Sequence, residues 1–305
     1  MKAWKAGGLL LLLLGLTASA FAGNLSGNVS GVLRFENSPY SVVGPITVPS
    51  DSQLVIEPGV DLRFAQGAAL IVRGRLIVMG TISQRVIFQG GDGQTWNGIR
   101  FEDGLPEVST LSNVEIRNSS NPVFVDMSNV VIDSSLIYGS NKGLFVTRST
   151  VLLSNSLLVM TITQLEPGVG VDAIDSDIQV MRDTILVNSS GVCENVTGIS
   201  VQQGTATLSS NVIQVNSNSA FVTCGIYLLS QDDALVSRNI VKVTSLLFSC
   251  GMKLENSGAG VYIHNNSVRL MSQNTSSYGL MIEDGRSINI RNNVVWGNNF
   301  GWGIV

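Results

Sequence analysis

Beyond residue 22 the chain carries no sustained 3.6-residue apolar period. Short runs of the form apolar-x-apolar, rich in Val, Ile and Leu, are separated instead by Asn, Ser and Gly. Only the first and third side chains of such a triplet can share a face, so each run reads as a short strand. The pattern predicts an all-β protein.

The runs repeat. ISVQQGTATLSSNVIQV, IYLLSQDDALVSRNIVKV, MKLENSGAGVYIHNNSVRL and LMIEDGRSINIRNNVVW share a core of apolar-x-apolar-x-x-Asn-x-apolar. Its polar position falls at Ser135, Ser156, Asp183, Asn211, Asn239, Asn266 and Asn293, the last four intervals being 28, 28, 27 and 27 residues. A second element, Gly-apolar-x-apolar, starts at Gly143, Gly170, Gly198, Gly225, Gly251 and Gly279, with a final copy at Gly303. A lone triplet buries almost nothing, so each copy must stack on the next to build a core. Three strands per repeat, before the Asn, after it and after the Gly, predict a right-handed single-stranded parallel β-helix of about 27 residues per coil. Asn suits the left-handed backbone of a sharp bend, and stacked amides can bond from coil to coil. The glycines are expected to relax the backbone at another corner. A leucine-rich repeat lacks support because L-x-x-L-x-L is absent, and a propeller needs longer units.

Residues 40–104 alternate apolar and polar positions between Pro49, Pro58 and several glycines. The residues Val48-Pro49, Leu54, Ile56, Pro58-Gly59-Val60, Leu70, Val72, Gly74, Leu76, Gly80-Thr81 and Trp96, Gly98, Ile99, Phe101 form a specific series. This series resembles the opening coils of secreted right-handed β-helix proteins of the pectate-lyase-like superfamily. The resemblance extends from about residue 40 to 305 and divides the helix into opening coils, 40–104, and ladder repeats, 105–305. It implies that active groups, where present, stand on one outward face. It does not by itself assign an activity. The G-H-G, R-I-K and D-P-H segments of the superfamily's hydrolases and epimerases are absent. An Asp232-Asp233 pair is present, without matching partners in neighbouring coils.

The N-terminus has a different character. Lys2 and Lys5 precede an apolar run at 9–22 that fades into small residues. Ala18-Ser19-Ala20 and Ala20-Phe21-Ala22 offer small-x-small cleavage sites. The expectation is a signal peptide, 1–22, cut before Gly23, and then a leader, 23–39; an uncleaved anchor is the rival. No Cys follows the run to take a lipid.

Charge narrows the partners. Only 13% of residues are charged, the net charge is −4 and no basic run occurs, which argues against nucleic acid. The single histidine, His264, falls in register with Arg291 and Ser237, an exposed stack more typical of a solvated surface than of a catalytic base. Asp232, Asp233, Glu255, Glu283 and Asp284 are expected to gather along one edge, where hard oxygen ligands could take Ca²⁺ or simply form a polar turn. No other metal or cofactor is expected. Trp296, Phe300 and Trp302 crowd the last coil. Cys224 and Cys250 precede ladder glycines and are candidates for a disulfide, with Cys193 as a competitor. Asn188 and Asn195 head Asn-x-Ser/Thr triplets that composition alone produces.

The last repeat ends on a strand, so self-association at an uncapped coil is expected. Two functions stay open. One is an exported non-catalytic β-helix, structural, adhesive or glycan-binding, in the periplasm, on the outer surface or outside the cell. The other is a divergent polysaccharide lyase, hydrolase or epimerase acting on acidic glycans.

Overall fold

The computed structural model describes residues 23–163, 165, 167–274, 277–298 and 302–304. The expected signal peptide and Phe300 lie outside these residues, and of Trp302 only the backbone is described. The chain winds as a parallel β-solenoid of about 10 turns. Among the described residues there is no α-helix, and none long and apolar enough to cross a membrane.

Each coil contributes three strands. Val222–Leu229, Asp233–Ser237 and Ile240–Ser245 define a first, second and third face. They pair in parallel with Phe248–Glu255, Gly260–His264 and Ser267–Ser272 of the following coil. One inward column on the second face shows the winding: Leu33, Ile56, Val78, Leu111, Ile132, Leu153, Val180, Leu208, Val236, Ile263 and Ile290. Successive members are 23, 22, 33, 21, 21, 27, 28, 28, 27 and 27 residues apart. The 27-residue period therefore governs the coils after Leu153, while the two before it are six residues shorter. The difference lies at the corner between the third and first faces. That corner joins Leu136–Gly139 directly to Lys142–Thr147, but runs from Ile162 to Gly168 and from Ser189 to Asn195 in the longer coils.

The expected leader, 23–39, is part of the solenoid. Asn24–Asn28 pairs with Tyr40–Val48, and Gly31–Leu33 pairs with Gln53–Ile56. Leu33 heads the inward column, so the first coil starts at Asn24 rather than at residue 40. Gly27 and Gly31, both at positive φ, interrupt the apolar alternation and hide these strands from the sequence.

The opening coils bury aromatic side chains. Phe64, Phe88, Trp96 and Phe101 are fully enclosed, Phe64 stacks on Trp96 with centroids 4.0 Å apart, and Trp96 Nε1 donates to Arg117 O at 2.7 Å. Every Val, Leu, Ile, Trp and Phe of the Val48–Phe101 series is buried. The later coils fill the same space with Val, Ile and Leu.

The polar repeat positions form one hydrogen-bonded ladder inside the wall. Its rungs run from Val114 N, which donates to Ser135 Oγ, through Ser156 and Asp183 to the asparagines. Asp183 N donates to Asn211 Oδ1 at 2.9 Å, Asn211 N to Asn239 Oδ1 at 3.0 Å, Asn239 N to Asn266 Oδ1 at 2.9 Å and Asn266 N to Asn293 Oδ1 at 3.0 Å. Each amide also gives its Nδ2 protons inward: Asn239 Nδ2 donates to Leu208 O and to Asn266 Oδ1. The asparagines do not themselves take the left-handed bend expected of them. The residue before each rung does, at Arg182, Ser210, Arg238, Asn265 and Asn292. This frees the rung side chain to point into the wall and bond.

Candidate functional site

A concavity lies along the glycine ladder. None of Gly143, Gly170, Gly198, Gly225, Gly251 and Gly279 has a positive φ, so conformational freedom is not why glycine stands there. Space is the reason. A Cβ at Gly225 would lie 2.5 Å from Gly251 O and 2.3 Å from Val241 Cγ1; at Gly198 it would lie 2.5 Å from Gly225 O and 2.4 Å from Ile213 Cγ2. The backbone is pressed against the branched core at this line, and its outer side is left dented.

Two outward columns flank the dent. Lys142, Val169, Thr197, Cys224 and Cys250 stand before the glycines; Phe145, Asp172, Ser200, Tyr227 and Lys253 stand two residues after them. The longer corners of the 27-residue coils add Pro167, Asn195 and Val222 as a rim. The result is a groove of about 400 Å³ that crosses the strands and follows the solenoid axis.

Its charged groups satisfy one another. Lys142 Nζ lies 2.6 Å from Asp172 Oδ2 and 3.9 Å from the centroid of the Phe145 ring. At the other end Lys253 Nζ bonds Glu255 at 3.0 Å and Glu283 at 2.9 Å, while Tyr227 OH donates to Glu255 at 2.9 Å. Burial alone would lower the Lys253 ammonium, but its bonds to Glu283 and Glu255 outweigh this and hold it well above the usual lysine value. Burial, then the bond to Glu255, pushes Tyr227 up to about 12. The bonds from Lys253 and Tyr227 hold Glu255 below the usual carboxylate range. Between these clusters, the side chains of Asn195, Thr197, Ser200 and Gln202 line the groove. They make no hydrogen bond to another described residue, which leaves hydroxyl and amide groups facing the groove.

The residues expected at an acidic edge separate. Glu255 and Glu283 are register partners clamped by Lys253 on the first face. Asp232 and Asp284 line a different, more open hollow of about 610 Å³ at the turn beyond that face, with Asn256, Ser257 and Arg286. Asp233 starts a second-face strand in register with Gly260. The converging oxygens that Ca²⁺ requires are therefore not assembled as expected, and no cluster of three His, Cys, Asp or Glu suited to a metal occurs among the described residues. The larger hollow is the weaker candidate, because turn side chains alone build it.

His264 does stand between Ser237 and Arg291 in register. Its Nδ1 contacts Asn265 Nδ2 at 3.1 Å, and the stack is part of an open surface with Tyr262 and Asn289. Cys224 and Cys250 are in register as expected, but they are free thiols with Sγ atoms 3.1 Å apart, well beyond the ~2.05 Å of a disulfide. Burial holds the Cys224 thiol well above its usual value, which leaves it a poor nucleophile. Cys193 is buried apart from them, 3.3 Å from Ser189 Oγ. Trp296 is half exposed beneath the Arg269 guanidinium, 4.6 Å from its ring centroid. Asn188 Oδ1 accepts from Asn216 Nδ2 at 2.8 Å, one more coil-to-coil amide contact.

Of the groove's lining, the sequence reading singled out Asn195, Cys224 and Cys250, for other roles, and missed Lys142, Asp172, Ser200, Tyr227 and Lys253, although a signal existed. Reading two positions past each ladder glycine gives Phe145, Asp172, Ser200, Tyr227, Lys253 and Met281, a column more varied than a purely structural repeat requires. No protein family, curated protein or solved structure matches the chain.

Proposed function

We propose that this chain is an exported, non-catalytic β-helix that holds a glycan along the first-face groove, at the cell envelope or outside the cell. The observation that carries the reading is the groove itself: a trough along the solenoid axis, lined by polar and apolar side chains together, whose ionisable groups are already bound to one another. General acid–base catalysis wants a group titrating near the working pH and in reach of substrate. The shifts at Lys253, Tyr227 and Glu255 all run away from neutrality. A polymer lying across the strands cannot add to a sheet edge, so side chains alone must hold it. The hydroxyl and amide groups gathered on Asn195–Ser209, midway along the trough, suit sugar hydroxyls.

Export rests on the head formed by Lys2 and Lys5 and the run at 9–22. Cleavage after Ala22 leaves every described coil intact, since the first described strand begins at Asn24. The resemblance of residues 48–101 to pectate-lyase-like helices adds a carbohydrate context. The rival enzymatic reading drew on an acidic edge that is divided between two places and partly neutralised by Lys253.

A glycan array combined with lyase and hydrolase assays tests the proposal. Binding without turnover is expected. Turnover that disappears in Tyr227→Phe or Lys253→Met would replace the binding reading with a catalytic one.

A further inference from the structure

We infer that the groove selects neutral, hydroxyl-rich glycans and discriminates against acidic ones; this rests on the glycan-binding reading above. An anionic site needs a cation with spare bonding capacity facing the ligand. Both lysines of the groove are already ion-paired to carboxylates. Lys142 is committed to Asp172, which is itself buried, and its ammonium is further covered by the Phe145 ring. Lys253 is shared by two carboxylates.

Together, the charged side chains lining the groove or bonded to its lining number two cations, Lys142 and Lys253, against three anions, Asp172, Glu255 and Glu283. The balance is one negative charge. A uronate chain would meet net repulsion, or would have to break the Lys142–Asp172 pair and leave a buried carboxylate without a partner.

What the groove does leave available fits neutral sugars. The Thr197 and Ser200 hydroxyls and the Asn195 and Gln202 amides each offer donors and acceptors together, as sugar hydroxyls do. They belong to one coil, between the two ion-paired ends. Tyr227, one coil on from Ser200, adds a ring on which a sugar face can rest, its hydroxyl held by Glu255.

The test uses the mature chain and matched oligosaccharides: neutral xylo-, manno- and cello-oligosaccharides against oligogalacturonates and alginate oligomers, titrated by calorimetry over a series of salt concentrations. The neutral members are expected to bind with little salt dependence, and the acidic members about tenfold or more weaker, the factor set by one unfavourable contact of about 1.4 kcal/mol. Glu283→Gln supplies a gain of function. It removes one of the two carboxylates on Lys253, at a partly exposed position, and is expected to raise affinity for oligogalacturonates severalfold without altering neutral binding. Acidic oligomers binding the wild-type protein as tightly as neutral ones, with affinity falling as salt rises, would overturn the inference while leaving the glycan-binding reading standing. No binding to any oligosaccharide would overturn the reading itself.

Discussion

Two ladders run the length of the later coils and look alike in the sequence, yet they do opposite work. The asparagine ladder fills the wall: every rung oxygen accepts a backbone N–H from the preceding coil, and every amide reaches an inner carbonyl. The glycine ladder empties the wall: with no side chain, the backbone closes on Ile213 and Val241, beneath the trough that runs outside. One periodicity provides cohesion and the other provides space. A repeated residue in a solenoid can therefore mark either a bond that recurs or a side chain that must be missing at every coil.

The sharpest way to break the glycine side of this comparison is Gly225→Ala. Its Cβ would meet a backbone oxygen and a core methyl, neither of which can swing away, so a loss of about 3 kcal/mol or more is expected. The measurement is a denaturant titration. A change below about 0.5 kcal/mol would show that the dent is not enforced by packing.

Asp183 breaks the asparagine side from within. Its Oδ1 takes the ordinary role, accepting from Ser156 N, but its Oδ2 stands where an amide donates and is buried without a partner. The register equivalents of the amide's acceptors are Leu153 O and Asn211 Oδ1, so only a protonated carboxyl completes the rung. Burial pushes this group up to about 7; backbone bonds to Ser156 and Met181, and then Arg182, oppose that rise, and Asp133 adds to it. The folded pKa exceeds the unfolded value of ~3.9. The fold therefore holds a proton that the unfolded chain has released, and this contribution is complete below pH ~4 and lost as pH rises to about 7. The total is on the order of 4 kcal/mol. Asp183→Asn should match the wild-type protein near pH 4 and exceed its stability by that order at pH 8. Thermal melts of the two proteins across this range check it; equal stability at pH 8 would mean that the charge is accommodated.

Removing a rung altogether costs somewhat less. Asn239→Ala strips partners from Asn211 N, Asn211 Nδ2 and Leu208 O. A loss of about 2–3 kcal/mol is expected, with hydrogen exchange accelerated at the Asn211 amide rather than throughout the chain. Uniform acceleration would mean that the ladder has no local role.

Much of the fold was legible before the structure. Apolar triplets, the Asn and Gly spacings and the Val48–Phe101 series all follow from burial at fixed intervals, and a stacked core leaves that record in the residues. The shorter coils around Ile132 and the first coil at Asn24 were less legible, because six missing corner residues and two left-handed glycines disturb the spacing without disturbing the inward column. The site was the least legible. Carboxylates such as Glu255 and Glu283 can be placed in one column by counting, but that Lys253 lies between them depends on side-chain reach. The dent was hidden for another reason: glycine suggests an unusual φ, and here it signals only that a Cβ has no room.

The central claim is that the glycine ladder leaves a working groove. Ser200→Tyr fills that groove from its floor with a ring of the kind that Tyr227 already places one coil on. Calorimetric titration of wild-type protein and this variant with the neutral oligosaccharide that the wild type binds best, alongside their thermal melts, tests the claim most directly. The account predicts that binding is lost while the melting temperature stays close to that of the wild type. Undiminished binding by a folded Ser200→Tyr protein would contradict it.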